Sequence, residues 1–455
     1  MHIINPATET IIATIAPDNQ HSLSTKYNLL RAAQPQWAAR SVADRVAVVR
    51  RFRELLGSHQ EELAATLTAE VGKPLSQSGN ELNGAAARIQ WLADNAEKFL
   101  ADEQMTAAPG LQEIISYEPL GVVCNISAWN YPYLVGVNVF IPALLAGNAV
   151  MYKPSEHATL TGQHIAQLLK EAGVPDDIFQ LALGAKETGE LLLDMDFDGY
   201  FFTGSYRTGK HIYERVAHKM APCQLELGGK DPVYVTDDVP DVKAVAAATA
   251  DGAFYNNGQS CCAVERIYVH EKIYDDYVNE FVKEVNSWKA GDPTVAGTYI
   301  GPLTRREQLH ELEKQVADAL AQGAVIQAGG KALPGPGYYF APTVLTNVTH
   351  SMRLMQEESF GPVIGIMKVS DDEEALKLMQ DTVYGLTAGV YSSSQERAAA
   401  VLRKINAGTG YWNCCDRVSA AVPWSGRKHS GFGATLSHQG IRAFTKSKAW
   451  HLRTL

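Results

Sequence analysis

The sequence predicts an α/β protein with one unit built on a doubly wound parallel sheet, a second α/β unit and a small β arm that leaves them. Three observations carry this. Strand-like and helix-like runs alternate from Gly121 to Leu227 and again from Val233 to Tyr391. Glycine-containing junctions follow several of the strand-like runs, where such sheets collect their ligands. At 455 residues the chain exceeds a single compact core, and about two to three domains are expected.

Along the chain, residues 1–16 alternate apolar and polar around Pro6 and Pro17, as a surface hairpin does. Apolar residues then recur at helical spacing, predicting helices over 45–56, 61–71 and 83–100, with Gly72-Lys73-Pro74 as a stop. A polar break is expected at 106–110. The stretch 111–119 is predicted as an exposed strand crossing away from the first unit, an edge suited to pairing with another subunit. Strands follow at 121–127, 149–153, 178–182, 199–203 and 223–227, with helices at 134–145, 161–172, 189–195 and 209–216 between them. The second unit opens at Gly228-Gly229-Lys230-Asp231-Pro232. Its strands are placed at 233–236, 266–270, 325–328, 363–369 and 388–391, and its helices at 242–254, 273–288, 306–322 and 372–380. The closing stretch 446–455 is strand-like and is expected to pair near Ile114.

Composition sets bounds. Apolar content of 46% and charged content of 20% suit a globular enzyme. A net charge of −10 gives no support for general nucleic-acid binding. The six cysteines have no spacing that fits a zinc site or a disulfide framework. Met1 to Pro6 lacks the regions of a secretory signal, and no apolar run reaches ~18 residues. A cytoplasmic, reduced protein is expected, with no metal, no membrane and no nucleic acid among its partners.

The chemistry centres on Asn256-Asn257-Gly258-Gln259-Ser260-Cys261-Cys262-Ala263, read as a small, flexible, polar loop between a helix and a strand. A thiol reacts when it is exposed, ionisable and close to a base. For a bare Cys-Cys pair, two buried structural thiols is the plainer reading. Three strand–helix junctions bear on the choice. At Lys153-Pro154-Ser155-Glu156 a carboxylate just past a strand suits an adenosine ribose diol and repels a 2′-phosphate; a solvated loop Glu is the alternative. At Thr203-Gly204-Ser205-Tyr206-Arg207-Thr208-Gly209, glycines open a helix whose N-terminus suits a pyrophosphate, although any such turn favours glycine. At Leu225-Glu226-Leu227-Gly228, a carboxyl among apolar neighbours has the raised pKa of a general base, unless it is an exposed strand end. Asn130, in Trp129-Asn130-Tyr131-Pro132, is a candidate oxyanion donor or an ordinary turn residue.

Taken in order, these motifs resemble the NAD(P)-dependent aldehyde dehydrogenase superfamily. They are Trp-Asn-x-Pro, Lys-Pro-Ser-Glu, Phe-Thr-Gly-Ser-x-x-x-Gly, Glu-Leu-Gly-Gly-Lys and Gly-Gln-x-Cys-x-Ala. Two later stretches, Glu357 to Pro362 and Pro423 to Gly433, agree, and the resemblance runs across essentially the whole chain. There are departures: Ala128 stands before Trp129, Ala434 to His438 ends the late motif, and the loop 184–188 lacks a second glycine.

The resemblance implies an aldehyde dehydrogenase-like fold. A Rossmann-like cofactor-binding domain covers 1–108 and 120–228, an α/β catalytic domain 229–428, and a β oligomerisation arm 109–119 with 440–455. It implies Cys261 as nucleophile, Glu226 as general base and Asn130 as oxyanion donor beside the Cys261 backbone N–H. The cofactor is NAD in preference to NADP. Its contacts are Trp129, Lys153, Ser155, Glu156, Gly204, Ser205, Gly209 and Leu227, with Glu358 and Phe360 at the nicotinamide ribose. The substrate tunnel is lined by Tyr131, Leu134, Val135, Asn138, Tyr255, Ser260, Cys262, Val418 and Trp424. Because Asn138 and Tyr255 are uncharged where some members place Arg, a neutral or mildly polar aliphatic aldehyde is expected, with Arg417 and Arg427 read as solvated surface arginines in preference to anion contacts. A homodimer or homotetramer is expected. The alternatives are a family member that has lost catalysis and acts as a binding or structural protein, and a thioester hydrolase without a nucleotide. The presence of Cys261, Glu226 and Asn130 speaks against the first, and that of Lys153, Glu156, Ser205 and Glu358 against the second.

Overall fold

In the computed structural model, residues 1–454 are described, and they form two large sheets, a three-stranded sheet and two two-stranded ones, of which His2–Ile4 with Ile11–Thr14 is the hairpin expected at the start. The first sheet has six strands in the order Gly431–Phe432, Cys223–Glu226, Gly199–Thr203, Val122–Ile126, Ala149–Lys153 and Phe179–Leu181. Every neighbouring pair except the first is parallel. Its central strands are covered on both faces, which is why they read as continuous apolar runs rather than alternating ones. Helices Val42–Ser58, Gln60–Val71 and Leu75–Leu100 share its core through Phe52, Leu67 and Ile89.

The helix Pro132–Ala146 is apolar nearly all round and is buried accordingly. Its start is held from another helix. Glu81 Oε1 accepts the Tyr133 N–H at 2.8 Å. Glu81 also pairs with Lys73, both wholly buried, and the Lys73 ammonium lies 3.9 Å from the Tyr131 ring centroid. A carboxylate at the positive end of a helix, beside an ammonium, offsets the cost of burying both. The turn carrying Trp129, Asn130 and Tyr131 is thereby set from below.

The second sheet has seven strands, in the order Val325–Ala328, Thr343–Thr346, Val363–Val369, Val264–His270, Asp231–Val235, Thr387–Tyr391 and Thr409–Trp412. Only Val325–Ala328 runs antiparallel to its neighbour. One apolar cluster, around Leu312, Met352 and Ala398, covers one face; another, around Phe254, Tyr277 and Phe281, covers the other. Thr343–Thr346, Thr409–Trp412 and the helix Gln395–Leu402 were not expected from the sequence. Each is too short for a period to declare itself. The sequence also did not indicate that Gly431–Phe432 crosses back to the first sheet, with Gly431 opposite Glu226.

The third sheet is antiparallel, in the order Thr445–Arg453, Leu111–Pro119 and Glu103–Ala108. Trp450 stands opposite Ile114, the pairing expected. The expected polar break at 106–110 is instead the end of the strand Glu103–Ala108 and its turn, where Gly110 takes φ 77°. An edge strand with mostly exposed side chains carries no apolar face to mark it. Leu455, placed in the expected arm, lies outside the described residues. Among the described residues, no helix is long and apolar enough to cross a membrane.

Candidate active site

The cysteine turn is made by consecutive left-handed residues. Asn256, Asn257 and Gly258 have φ of 56°, 59° and 70°, a conformation that Asn tolerates and Gly adopts freely. At Gly258 only glycine fits, since a Cβ would lie 2.3 Å from the Gly361 carbonyl oxygen. The loop expected to be flexible and polar is polar but buried, with Asn256, Asn257 and Gln259 shielded from solvent. Their amides bind backbone. Asn257 Nδ2 donates to the Pro302 carbonyl at 2.8 Å, and its Oδ1 accepts the Gly301 N–H at 2.7 Å. Gln259 Oε1 accepts the Thr304 N–H at 3.0 Å, and Gln77 Oε1 accepts the Asn256 N–H at 2.8 Å. Buried amides that satisfy backbone groups hold a loop in one conformation.

Cys261 leaves this turn half-buried, and Cys262 is buried. The Cys262 thiol donates to Asp416 Oδ1 at 3.0 Å. Its bond with Cys261, burial and the Asp416 carboxyl raise it well above the usual thiol range. Such a thiol is a poor nucleophile at neutral pH.

Asn130 is joined to the same turn. Its Nδ2 donates to the Gln259 carbonyl at 3.0 Å, and its own carbonyl accepts Asn256 Nδ2 at 3.0 Å. The second hydrogen of that amide has no protein acceptor among the described residues, nor has the Cys261 backbone N–H. Free donors joined to the turn that carries a thiol suit a developing oxyanion.

Glu226 ends its strand, and Gly228-Gly229 carries the chain past the cysteine. A Cβ on Gly229 would lie 2.7 Å from the Cys261 carbonyl oxygen. Burial pushes the Glu226 carboxyl up to about 8, opposed by a hydrogen bond from Thr435 Oγ1 and by the charge of Arg88.

A cavity of about 520 Å³ opens onto Cys261. The structure places every expected tunnel residue on its wall: Tyr131, Leu134, Val135, Asn138, Tyr255, Ser260, Cys262, Val418 and Trp424. Arg417 also reaches it. Arg427 does not, because its Nη1 donates to Asn406 Oδ1 at 3.2 Å, away from the cavity. Three charged lining residues escaped the sequence reading: Arg88, Asp251 and Asp416. Arg88 stands inside a long helix, outside every motif. Asp416 takes φ 48°, and burial pushes its carboxyl up to about 7.

A second crevice, about 300 Å³, lies at the C-terminal ends of the first sheet's strands. Trp129, Lys153, Ser155, Glu156 and Gly204 line it. Lys153 Nζ is 3.9 Å from Glu156 Oε2. Burial pushes the Glu156 carboxyl up, but Lys153, a backbone hydrogen bond and His157 outweigh it and hold the group below the usual carboxylate range. The other expected cofactor residues are not on this wall. Ser205 caps the helix Tyr206–Val216 by accepting the Thr208 N–H. Gly209 packs against Leu227, whose side chain would lie 2.5 Å from an added Cβ. Glu358 lies against the Gly228-Gly229 turn and accepts the Gly229 N–H at 3.0 Å, with burial pushing its carboxyl up to about 8. Phe360 meets Trp129 edge-on, with 5.5 Å between ring centroids. An ionised carboxylate, a capped helix N-terminus and glycines with no room for a side chain fit a dinucleotide.

Known proteins resemble this chain over nearly its whole length. The model of the aldehyde dehydrogenase family matches residues 1–450. The peroxisomal aminoaldehyde dehydrogenase 2 of Pisum sativum is 35% identical over 458 residues, spanning 98% of this chain and 91% of its own. The NADP(+) succinate-semialdehyde dehydrogenase of Deinococcus radiodurans is 33% identical over 446 residues, spanning 98% and 93%. The crystal structure of an aldehyde dehydrogenase from Pseudomonas aeruginosa matches with a TM-score of 0.97 at 32% identity, covering 100% of this chain and 93% of that one. The chain therefore belongs to the aldehyde dehydrogenase family, as an NAD(P)-dependent enzyme that oxidises an aldehyde to its carboxylic acid.

Proposed function

We propose that Cys261 is the nucleophile, that Asn130 and the Cys261 backbone N–H hold the oxyanion, and that Glu226 is the general base. The observation that carries this reading is the rigid turn that presents Cys261 to the cavity with two unengaged donors, while Cys262 is buried and bonded to Asp416. The Cys261 thiolate adds to the aldehyde carbon, and the carbonyl electrons move to an oxygen that accepts from both donors. A bound nicotinamide dinucleotide supplies the hydride acceptor. Cys261 is then left carrying the acyl group as a thioester. Glu226, once ionised, takes a proton from the water that attacks this thioester, releasing the acid and the thiol.

The residues at the second crevice support NAD over NADP. The ionised Glu156 accepts from a ribose diol and repels a 2′-phosphate, with Lys153 beside it. Ser205 opens the helix toward the pyrophosphate, and Glu358 and Phe360 belong to the nicotinamide end. The first sheet and its helices make the cofactor-binding domain and the second sheet the catalytic one. The third sheet is an arm between subunits of a homo-oligomer, and it starts at Glu103 rather than at residue 109. A cytoplasmic location fits the sparse, unpaired cysteines.

The test is a panel of aldehydes assayed with NAD and with NADP on wild type, Cys261→Ser and Cys262→Ala. Cys261→Ser is expected to lose at least about 10³-fold in kcat and Cys262→Ala to keep activity. The reverse pattern overturns the nucleophile assignment. Equal kcat/KM with the two cofactors removes the role given to Glu156.

A further inference from the structure

Arg88 lines the same cavity as Cys261, and no carboxylate among the described residues pairs with it. Its Nη1 donates to Asn138 Oδ1 at 3.1 Å and to the Leu134 carbonyl at 3.3 Å. Its Nε and Nη2 hydrogens have no protein acceptor among the described residues. A guanidinium stays charged in proteins, and an enclosed charge is ordinarily matched. Two fully buried cations are matched by carboxylates: Lys73 by Glu81, and Lys230 by Glu265 at 2.5 Å.

We propose that Arg88 is the anchor for an anionic group on the substrate, so that the aldehyde this enzyme takes carries a carboxylate at its far end. The planar fork of Nε and Nη2 suits side-on, bidentate contact with a carboxylate. Asn138 sets the fork: its amide oxygen and the Leu134 carbonyl occupy Nη1 and leave Nε and Nη2 on a side chain that lines the cavity. This replaces the neutral aliphatic aldehyde expected from the uncharged Asn138 and Tyr255. The charge arrives on the same wall from a different helix, Leu75–Leu100. Protein donors engage one oxygen of each cavity acid, and the opposite reading, a cationic substrate held on the other oxygens, is the outcome that the 4-aminobutanal arm below tests. Tyr299 donates its hydroxyl to Asp251, while Asp416 accepts from the Cys262 thiol and from the Ser260 hydroxyl. The proposal rests on the assignment of Cys261 as nucleophile.

The experiment compares wild type, Arg88→Met and Arg88→Lys on three aldehydes of equal chain length: butanal, succinate semialdehyde and 4-aminobutanal. Wild type is expected to prefer succinate semialdehyde. Arg88→Met is expected to raise KM for it about 10- to 100-fold, the loss of a charged hydrogen-bonded contact, with a much smaller change in kcat/KM for butanal. Arg88→Lys should recover part of the loss. Succinate should slow iodoacetamide alkylation of Cys261 in wild type and not in Arg88→Met. If Arg88→Met depresses all three substrates alike, the residue acts on the thiol or on folding, and the proposal falls. A wild-type preference for 4-aminobutanal also overturns it. Failure of the underlying reading shows separately, as butanal oxidation that survives Cys261→Ser.

Discussion

Two adjacent cysteines differ here through what each touches. Both line the cavity, but Cys262 is buried and donates its thiol to Asp416, whereas Cys261 is half-buried. The same logic of environment governs Glu226. Burial raises its carboxyl to about 8, so it is largely protonated below that pH and ionised above it. A base works only when ionised. Turnover limited by thioester hydrolysis should therefore rise with pH through about 8 and then level off. Glu226→Gln should abolish that rise and lower kcat about 10²- to 10⁴-fold, with a burst of NADH in stopped flow as acyl-enzyme accumulates. A wild-type kcat that is flat across this range would contradict the role.

Among the elements, the cysteine turn depends on chain outside itself. Its left-handed residues are locked by Pro302, Gly301, Thr304 and Gln77, and Gly258 packs against the Gly361 carbonyl. Gly258→Ala adds both backbone strain and a collision, and is expected to destabilise by about 2–3 kcal/mol, read as a lower urea midpoint. Gly57→Ala is the control. It lies in the helix Val42–Ser58 with nothing within 4 Å of its added Cβ, and should be neutral or stabilise by up to about 1 kcal/mol. Equal effects at the two sites would mean that the turn holds no strain. The motif letters around this turn were legible in the sequence. Its rigidity was not, because a string of Asn, Gly and Gln reads as solvated loop until the backbone groups it satisfies are seen.

At the scale of the molecule, the third sheet ends in two exposed edges. Trp450 and Leu452 project from the same face of the strand Thr445–Arg453 and stay 39% and 45% exposed. Apolar side chains on an exposed sheet are the mark of a surface that another subunit covers. Sedimentation should find wild type as a dimer or tetramer, and Trp450→Asp with Leu452→Asp should shift it to smaller species with unchanged circular dichroism. A monomeric wild type, or an assembly indifferent to both changes, would remove the arm's role.

The sequence by itself determined the two alternating units, the pairing of the last strand near Ile114, and the motif that carries Cys261. Each of these is written in short-range period or in contiguous letters, and local backbone preference is enough to read it. Only the tertiary structure decided that Arg88 faces the cavity with Asn138, that Thr435 bonds Glu226, that Asp416 receives the Cys262 thiol, and that Gly431 returns to the strand of Glu226. Those contacts join residues far apart in the chain. They follow from how helices and strands pack against one another, and no local pattern encodes which side chain then meets which.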